Sequence, residues 1–449
     1  MPVQPARIVR RRWHELSRDR RGRGDRIGLF TVPLLAAALL LNTCTMPVVF
    51  HARPGRDRCA GAEGYSASGA RTFSMRSDWL NRNALWLNSP AGREERAALI
   101  AAAKRAIVGP PETVVAKSAS SPSGDPHDYL SFPTYYWPDA TRPGKLVRID
   151  GRRNPLVDSD RYDHARLFRF IERTRTLALA YRYTGDRRYA EGAARLIRVW
   201  FVLPTTRMNP NFRYAQFQPD LAVGNGYGII DGWRLIWAVD AIGLIARSGA
   251  LAPQDLLAVR KWFADYLGWL SDSPEGRKEA ARSNNHKTHY EIQRIGFALF
   301  TRQAALAHRF ATDAASLVGT QIAADGDLPL ETERAKKSFY LVQGIQALLT
   351  LAGLAECAGV DLWRATTWRS GGIRSAVDNL GDIVTGVRAP PDAGFAAERG
   401  PAKEALMAAA WAYDDPRYAL AARGYDELSP NFALAPFPAA TLPAPGSEP

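Results

Sequence analysis

The sequence predicts an all-α protein built as a single-domain α/α toroid, an incomplete barrel of antiparallel helical hairpins. From about residue 75 to residue 425, apolar residues recur with a helical period. The predicted helices come in pairs joined by short turns, which is the pattern of stacked helical hairpins. No strict sequence repeat is present, so a closed toroid is favoured over an open superhelical array.

The first 50 residues predict a basic leader followed by an apolar segment. Residues 1–26 carry nine arginines against three acidic residues, and residues 27–41 are apolar apart from Thr31. A basic stretch before an apolar stretch is typical of an export signal. We therefore expect a periplasmic or secreted protein. The alternative is attachment to the membrane through residues 27–50.

Composition narrows the class of protein and its possible partners. The 449 residues, 46% hydrophobic and 23% charged, are ordinary for a globular protein with a large core. The formal charge of +14 favours a polyanionic partner only weakly, because the leader supplies much of it. We expect no nucleic-acid partner, and the sequence predicts no oligomeric state. Three cysteines exclude a disulfide framework, and none has zinc-site spacing.

Four regions follow from these patterns. Residues 1–50 are the leader, and residues 51–75, rich in Arg, Gly, Ala and Ser, are predicted to be a disordered linker. Residues 76–425 form the toroid domain. Residues 426–449, rich in Pro and Ala, are predicted to be a flexible tail.

The helical hairpins are interrupted once, by a long irregular stretch. Residues 111–160 are crowded with Pro, Gly, Ser, Asp and aromatic residues, and such loops inside compact domains tend to be functional. The predicted helices cover residues 93–108, 160–183, 186–201, 225–248, 253–270, 285–310, 312–324, 332–359, 362–380, 402–413 and 416–425.

The irregular stretch has the composition of a sugar-binding loop. Aromatic rings stack on the apolar faces of pyranose rings, and neighbouring polar groups bind hydroxyls. The candidate substrate-binding residues in this stretch are Lys117, His127, Tyr129, Tyr136 and Trp137. The alternative is that the aromatic side chains hold the loop against the body, with Lys117 at a solvated surface position.

Two further candidates lie between hairpins. Gln218 precedes a glycine-rich segment, residues 224–228, and Asn225 lies within it. The segment follows no strand and precedes no Gly-Lys-Ser/Thr, so a phosphate cradle is disfavoured. Both are reasonable sugar-binding residues, and turn-forming roles are the alternative.

Two polar motifs each open an apolar helix. The first, residues 282–290, contains Asn285 and His286, with His289 and Tyr290 as further candidate substrate contacts. The second, residues 330–340, contains Arg334 and Tyr340. Taken singly, such residues are more often a helix cap, a core histidine and a packed tyrosine.

The combination suits β-elimination on a uronic acid. The proton on C5 becomes acidic only when the neighbouring carboxylate is neutralised, and a fixed amide such as Asn285 can do this. A base must take that proton, and an acid must protonate the departing O4 oxygen. Tyr340 can do both if a nearby cation lowers its pKa, and Arg334, six residues earlier, is that cation.

Other chemistries fit the sequence less well. A glycoside hydrolase needs two carboxyl groups flanking the bond, but the acids of the second motif, such as Glu331 and Glu333, bunch at one turn, where charge stabilisation of a helix start explains them. His286 and His289 lie three residues apart, but no third ligand is evident, so no metal is predicted. A catalytically silent toroid that binds an exopolysaccharide is a further alternative.

Several separated motifs, in order, resemble the alginate lyase family of polysaccharide lyases. The resemblance implies an α/α toroid, an exported enzyme, an acidic polysaccharide substrate and no cofactor. The six-residue gap from Arg334 to Tyr340 resembles the subgroup of glucuronan- and mannuronate-acting lyases, polysaccharide lyase family 38. Lys287 and His289 depart from the family pattern. The matching pieces are Lys117 with residues 121–129, then residues 136–139, 150–155, 226–231, 284–286 and 327–331, and finally Arg334 and Tyr340.

The resemblance also implies roles for four residues. Asn285 neutralises the substrate carboxylate, and His286 is its partner or a base. Arg334 supports Tyr340, which is the acid and, for some substrates, also the base. In β-mannuronate and β-glucuronate the C5 proton and the O4 oxygen are syn, so one tyrosine can serve twice, whereas in guluronate they are anti. We therefore expect a preference for syn substrates.

Overall fold

Helices make up most of the protein, in a computed structural model that describes residues 71–90, 92–218, 226–367 and 370–423. The leader, most of the linker, the tail and Asn225 lie outside these residues, so the predictions made for them stay predictions. The helices are α1 Ser77–Leu87, α2 Arg93–Ile107, α3 His164–Thr184, α4 Arg187–Ile197, α5 Leu235–Ile245, α6 Pro253–Asp272, α7 Pro274–Ala280, α8 Asn285–Phe300, α9 Ala304–Ala314, α10 Ser316–Gln321, α11 Pro329–Thr332, α12 Lys337–Cys357, α13 Gly372–Val384, α14 Arg399–Tyr413 and α15 Pro416–Arg423.

The helices form two layers. Helices α3, α5, α8, α12 and α14 make the inner layer, in which each helix contacts the next. Helices α4, α6, α9, α13 and α15 lie outside and pack against them. Between the layers runs one continuous apolar core. This arc of antiparallel hairpins is the arrangement of an α/α toroid, as the sequence predicts.

The long irregular stretch lies between α2 and α3, as predicted. It contains a small antiparallel hairpin, in which β1 (Tyr136–Pro138) pairs with β2 (Leu146–Arg148). Tyr136 lies opposite Arg148 and Pro138 opposite Leu146. Longer 3₁₀ and turn segments carry the rest of the stretch across the end of the toroid.

Local signals set several helix ends. Gly185 follows α3 in the left-handed conformation (φ 73°), and its N–H donates to the Tyr181 carbonyl. The Asp186 side chain then accepts from the Arg188 N–H and caps α4. Glycine after a helix and aspartate before the next are the standard signals, which is why this turn was predictable.

Several predicted helices differ from the structure. Those predicted over 225–248 and 312–324 are misplaced, since α5 covers only Leu235–Ile245, and α9 ends at Ala314 before α10 begins at Ser316. The helix predicted over 285–310 is broken, because Arg302 adopts a left-handed conformation (φ 63°) and Gln303 N–H donates back to the Ala298 carbonyl, which ends α8 at Phe300. The helix predicted over 332–359 begins only at Lys337. The helix predicted over 362–380 begins at Gly372. Arg334 therefore lies in a turn and not on the helix that carries Tyr340.

The helix α12 is the apolar centre of the inner layer. In the described part of the chain it is the one helix long and apolar enough to cross a membrane, and 72% of its most apolar window is buried. Burial against α8, α9, α13 and α14 identifies it as a core helix.

A buried carboxylate fixes the first described segment to the inner layer. Asp240, on α5 and fully buried, accepts hydrogen bonds from the backbone N–H groups of Phe73 (2.6 Å), Ser74 and Met75 (3.0 Å), and from the Ser74 hydroxyl. Burial raises the pKa of Asp240 to about 6. Next in the chain, Arg76 forms an ion pair with Glu356 of α12. One short segment thus ties α5 to α12.

We expect Asp240→Ala to lower the free energy of unfolding by about 2–4 kcal/mol, because several buried donors lose a charged acceptor together. Urea unfolding followed by circular dichroism measures this. The control is Asp265→Ala, which removes an exposed ion pair with Lys261 (2.8 Å) and is expected to change stability by less than about 1 kcal/mol. Equal losses in the two variants would contradict the anchoring role of Asp240.

Candidate active site

Arg334 and Tyr340 meet at the start of α12. The Arg334 Nη2 atom donates to the Tyr340 Oη atom at 2.9 Å, and the guanidinium carbon lies 4.0 Å from the centre of the tyrosine ring. Asp150, from the long loop, accepts from Arg334 Nη2 at 2.7 Å and from Nε at 3.1 Å. These hydrogen bonds hold the pKa of Asp150 at about 2, so its carboxylate is ionised and fixes the guanidinium in place.

The environment of Tyr340 keeps its phenol neutral. The Tyr340 Oη atom donates to the Tyr135 Oη atom at 2.6 Å. Burial raises the pKa of Tyr340 well above its ordinary value and Tyr135 raises it further, whereas Arg334 lowers it by less. Arg334 lowers the pKa of the phenol, as expected, but in the free protein loss of solvent outweighs this nearby positive charge.

Asn285 is the first residue of α8 and is held by a carboxylate from α11. Its backbone N–H donates to Glu331 Oε1 at 2.7 Å, and its side-chain Nδ2 donates to Glu331 Oε2 at 2.7 Å. The Asn285 Oδ1 atom is buried and makes no hydrogen bond with the described residues. Asn284, one residue earlier, caps the helix through its side chain, which accepts from the His286 N–H. The cap and the carboxylate together fix the direction of the Asn285 amide.

Glu331, which belongs to the second polar motif, binds Asn285 of the first. Its pKa is raised to about 7 by burial, while Arg334 from its own turn and His286 from α8 both act to lower that pKa. Gly344 of α12 makes room for it, since a Cβ atom there would lie 2.7 Å from a Leu328 methyl carbon and 3.5 Å from Glu331 Cγ. Residues of both motifs influence the Glu331 carboxylate, so the structure brings the two motifs to the same site.

His286 has its own carboxylate partner. Its Nδ1 atom lies 2.6 Å from Oε1 of Glu279, a fully buried residue of α7. A carboxylate only accepts, so the proton belongs on Nδ1 and the Nε2 atom is left as the acceptor of the ring. Arg282 donates to the other oxygen of Glu279 at 3.4 Å and stacks on the Tyr227 ring, whose edge meets His286.

Four of the predicted substrate contacts are partly exposed. Tyr136 and Trp137 lie on β1, and the Trp137 indole N–H donates to the carbonyl of Arg152, whose guanidinium stacks on the indole ring at 4.2 Å. The His127 Nδ1 atom bonds the Arg207 carbonyl at 2.7 Å, and Gln218 is also half-buried. Their role in binding stays a prediction.

Lys117 and Tyr129, in contrast, hold the long loop in place. The Lys117 side chain is 2% exposed, and its ammonium group binds Asp163 at 3.0 Å and the carbonyl oxygens of Val114 and Pro126. The Tyr129 hydroxyl donates to the carboxylate of Asp231 at 3.1 Å, and the ring is fully buried. With the ammonium group and the hydroxyl bonded inside the protein, these two side chains hold the loop, which corrects their predicted role as substrate contacts.

His289 and Tyr290 are corrected in the same way. His289 is 4% exposed, packs against Trp233 and donates from Nδ1 to the Asn285 carbonyl at 2.8 Å. Burial lowers the pKa of His289 to about 3. The Tyr290 hydroxyl donates to the Leu270 carbonyl inside the core. Both residues lie on the buried face of α8, behind the Asn285 end.

The sequence analysis gave no role to four residues that complete the site. Tyr135 and Asp150 come from the long loop, and Glu279 comes from the short helix before the first motif. Glu331 was considered only as an acid at a helix start. Glu279 lies in the short, mostly polar segment Pro274–Ala280, whose composition gives no signal that its carboxylate is buried. Within the described residues, no cluster of three or more His, Cys, Asp or Glu side chains could hold a metal ion.

The fold and the site define a class of protein. A toroid of helical hairpins, in which Glu331 joins Asn285 at the start of α8 to the turn before α12, is consistent with the class of polysaccharide lyases. The chain belongs to the alginate lyase family, because the model of that family matches residues 113–389.

A solved structure agrees with this assignment. The crystal structure of an alginate lyase from Bacteroides ovatus matches with a TM-score of 0.77 and 27% sequence identity, over 83% of this chain and 100% of that one. Alginate lyase A1-III from Sphingomonas species A1 matches with a TM-score of 0.44 and 15% identity, over 70% of this chain and 87% of that one. A comparison with curated protein sequences finds no match. The predicted α/α toroid and lyase class are confirmed.

The buried His289 makes an acid-sensitive contribution to stability. Its pKa in the folded protein lies below the unfolded value near 6.5, so the unfolded chain binds a proton that the folded protein does not, and stability falls as the pH drops through 6.5. Between pH 7 and pH 5, we expect the native protein to lose about 2 kcal/mol more than His289→Gln.

Urea unfolding at the two pH values measures this difference. The control is His308→Gln, which changes an exposed histidine on α9 and should leave the acid-induced loss as it is in the native protein. Equal pH dependence of the native protein and His289→Gln would show that His289 is protonated in the folded state.

Proposed function

We propose that this lyase cleaves a uronic-acid polymer by β-elimination with Asn285, His286, Arg334 and Tyr340 as its reacting side chains. The observation that carries the proposal is the link between the two polar motifs through Glu331, which binds Asn285 twice at 2.7 Å and lies close to Arg334. Two helices thereby present their polar ends to one sugar ring.

Asn285 suits the neutralisation of the substrate carboxylate. Glu331 uses one N–H of the side-chain amide, and the second N–H of the same nitrogen is available to a carboxylate oxygen. As the C5–H bond breaks, its electron pair passes into the carboxylate group to give an enolate, and a donor fixed in advance stabilises that charge best. The electrons then return to form the C4=C5 double bond and expel the O4 oxygen.

Tyr340 suits the protonation of that oxygen. A phenol whose pKa is raised by burial is fully protonated at neutral pH and can give its proton to O4. The phenolate that results lies 2.9 Å from Arg334 Nη2 and is stabilised by that charge. For a syn substrate, Tyr340 must enter the cycle as the phenolate, which takes the C5 proton. The phenol so formed gives that proton to O4 in the same cycle and becomes the phenolate again beside Arg334, so one side chain performs both transfers.

His286 offers a second route, favoured by its contact with Glu279. The Glu279 carboxylate holds the proton on Nδ1, so Nε2 can take the C5 proton from the face opposite to Tyr340. This arrangement suits the anti geometry of guluronate. Only the second route uses His286 as the base, so the effect of replacing His286 distinguishes the two routes.

The polymer that we propose is one whose C5 proton and O4 oxygen are syn, namely polymannuronate or glucuronan. The likeness to a Bacteroides ovatus alginate lyase supports the mannuronate of alginate first. The spacing of Arg334 and Tyr340 supports placement in polysaccharide lyase family 38. A silent binding toroid or a hydrolase on the same scaffold would yield no ultraviolet-absorbing unsaturated product from any uronan.

Tyr340→Phe should lower kcat on polymannuronate by about 10²–10⁴-fold, because the variant has neither the acid nor the syn base. KM should change little, since the ring remains. The measurement is the ultraviolet absorbance of the unsaturated product. The matched control is Tyr183→Phe on α3, which should retain native activity. Full activity of the Tyr340→Phe variant would contradict the assignment of Tyr340 as the acid and the syn base.

His286→Gln separates the two routes. If Tyr340 is the base for syn substrates, the variant should keep its rate on polymannuronate to within about tenfold and lose about 100-fold or more on polyguluronate. Initial rates on the two polymers, compared with those of the native enzyme, give the ratio. An equal, large loss on both polymers would instead make His286 the general base for every substrate.

We further propose export to the periplasm or the medium, with the apolar segment within residues 27–50 as the signal or anchor. Cys357, the last residue of α12, is disulfide-bonded, and disulfides persist in oxidising compartments. Peptide mapping of the unreduced protein should find Cys357 in a disulfide. A free thiol there would remove this support for export.

A further inference from the structure

Glu331 is a buried carboxylate at the centre of the site with no cationic partner. It is 3% exposed, and its two oxygens accept only from the backbone and the amide of Asn285. Among the described residues it forms no ion pair, because the guanidinium of Arg334, three residues further on, is directed to Asp150 at 2.7 Å. A buried negative charge without a cation is unfavourable and is easily protonated.

The charged groups around Glu331 are few. Arg334 faces it from its own turn and His286 from α8, and both favour its ionised form. On the third side, α12 presents Gly344, which has no side chain to offer. The balance between the charged and neutral forms of Glu331 therefore depends on what binds next to Asn285.

A uronate carboxylate is the group expected to bind there, and this step rests on the proposed function. We propose that Glu331 takes up one proton from solvent when the substrate carboxylate binds at Asn285, so that substrate binding is coupled to protonation of a residue outside the proton-transfer chain. An ionised Glu331 would repel the incoming carboxylate, whereas the neutral acid does not. Its new O–H has an acceptor in the substrate carboxylate.

The pKa of Glu331 in the free protein fits this coupling. Burial raises it to about 7, so the free site is partly protonated at neutral pH and a nearby anion raises the pKa further. Above that pH, the apparent Kd for the substrate should rise by about tenfold per pH unit, the limit for uptake of one proton. A merely structural Glu331 would leave the Kd independent of pH.

Calorimetry on protein with Tyr340→Phe, which binds without turnover, measures the coupling. A mannuronate tetrasaccharide is titrated at pH 8 in two buffers of different ionisation enthalpy, and the difference in heat gives the protons taken up per site. With native Glu331 we expect at least about half a proton. Adding Glu331→Gln should bring the uptake to near zero and flatten the pH dependence of Kd. Adding Glu333→Gln, an exposed neighbour in the same turn, should leave the uptake unchanged.

A third variant tests whether His286, and not Glu331, takes up the proton. Adding His286→Gln to Tyr340→Phe should keep the uptake, and its loss there would assign the proton to His286 and overturn the proposal. This comparison retains native Glu331, so it decides the question even if Glu331→Gln does not fold. Binding without proton uptake by the protein with native Glu331 would also overturn it. If the native enzyme forms no unsaturated product from any uronan, it is the proposed function that fails.

Discussion

The contact between Glu331 and Asn285 joins the two halves of the site. Asn285 opens α8 and Glu331 belongs to the turn that precedes α12, so two hydrogen bonds of 2.7 Å set the position of one helix end against the other. Backbone and side chain of Asn285 bind the same carboxylate, which fixes the amide in direction as well as in place. Because α8 and α12 also pack along their lengths in the inner layer, the contact is supported by rigid elements.

Burial decides the chemistry of the groups around this contact. Tyr340 lies beside a guanidinium, but loss of solvent and the neighbouring Tyr135 outweigh that charge, and the phenol keeps its proton. In the mechanism that we propose, Arg334 therefore acts less on the resting phenol than on the phenolate that forms once the proton has left. The ionised Asp150 holds Arg334 in position for that moment, and the long loop that carries Asp150 becomes part of the site.

Periodic patterns allowed much of the fold to be predicted from the sequence. The turn at Gly185 and Asp186 carries the standard capping residues, and the structure has it where the pattern puts it. The break at Arg302 was missed because arginine is not a residue that usually adopts the left-handed conformation. The helical period of apolar residues continues across this position without interruption. The turn at Arg334 was missed for a related reason, since residues 333–336 continue a helix-compatible composition.

The candidate site residues could be predicted only where the side chains with suitable chemistry lie together in one short sequence motif. Asn285, His286, Arg334 and Tyr340 lie in two short segments, and the structure brings these segments together. The partners Asp150 and Tyr135 lie 184 and 205 residues away from the groups they bind, and no local pattern reports such a pairing. Burial explains the opposite error at His289, because polar residues at a helix start look alike in sequence whether they face the opening or the core.

The central claim is that one uronate ring sits between the Asn285 amide and the Tyr340 phenol. A crystal structure of Tyr340→Phe with a bound mannuronate tetrasaccharide tests it most directly. We predict that a ring carboxylate lies within hydrogen-bond distance of Asn285 Nδ2 and that C5 and O4 of the same ring face the side chain of residue 340. A saccharide bound with its carboxylates away from Asn285, or with the C4–C5 edge turned from residue 340, would contradict the account.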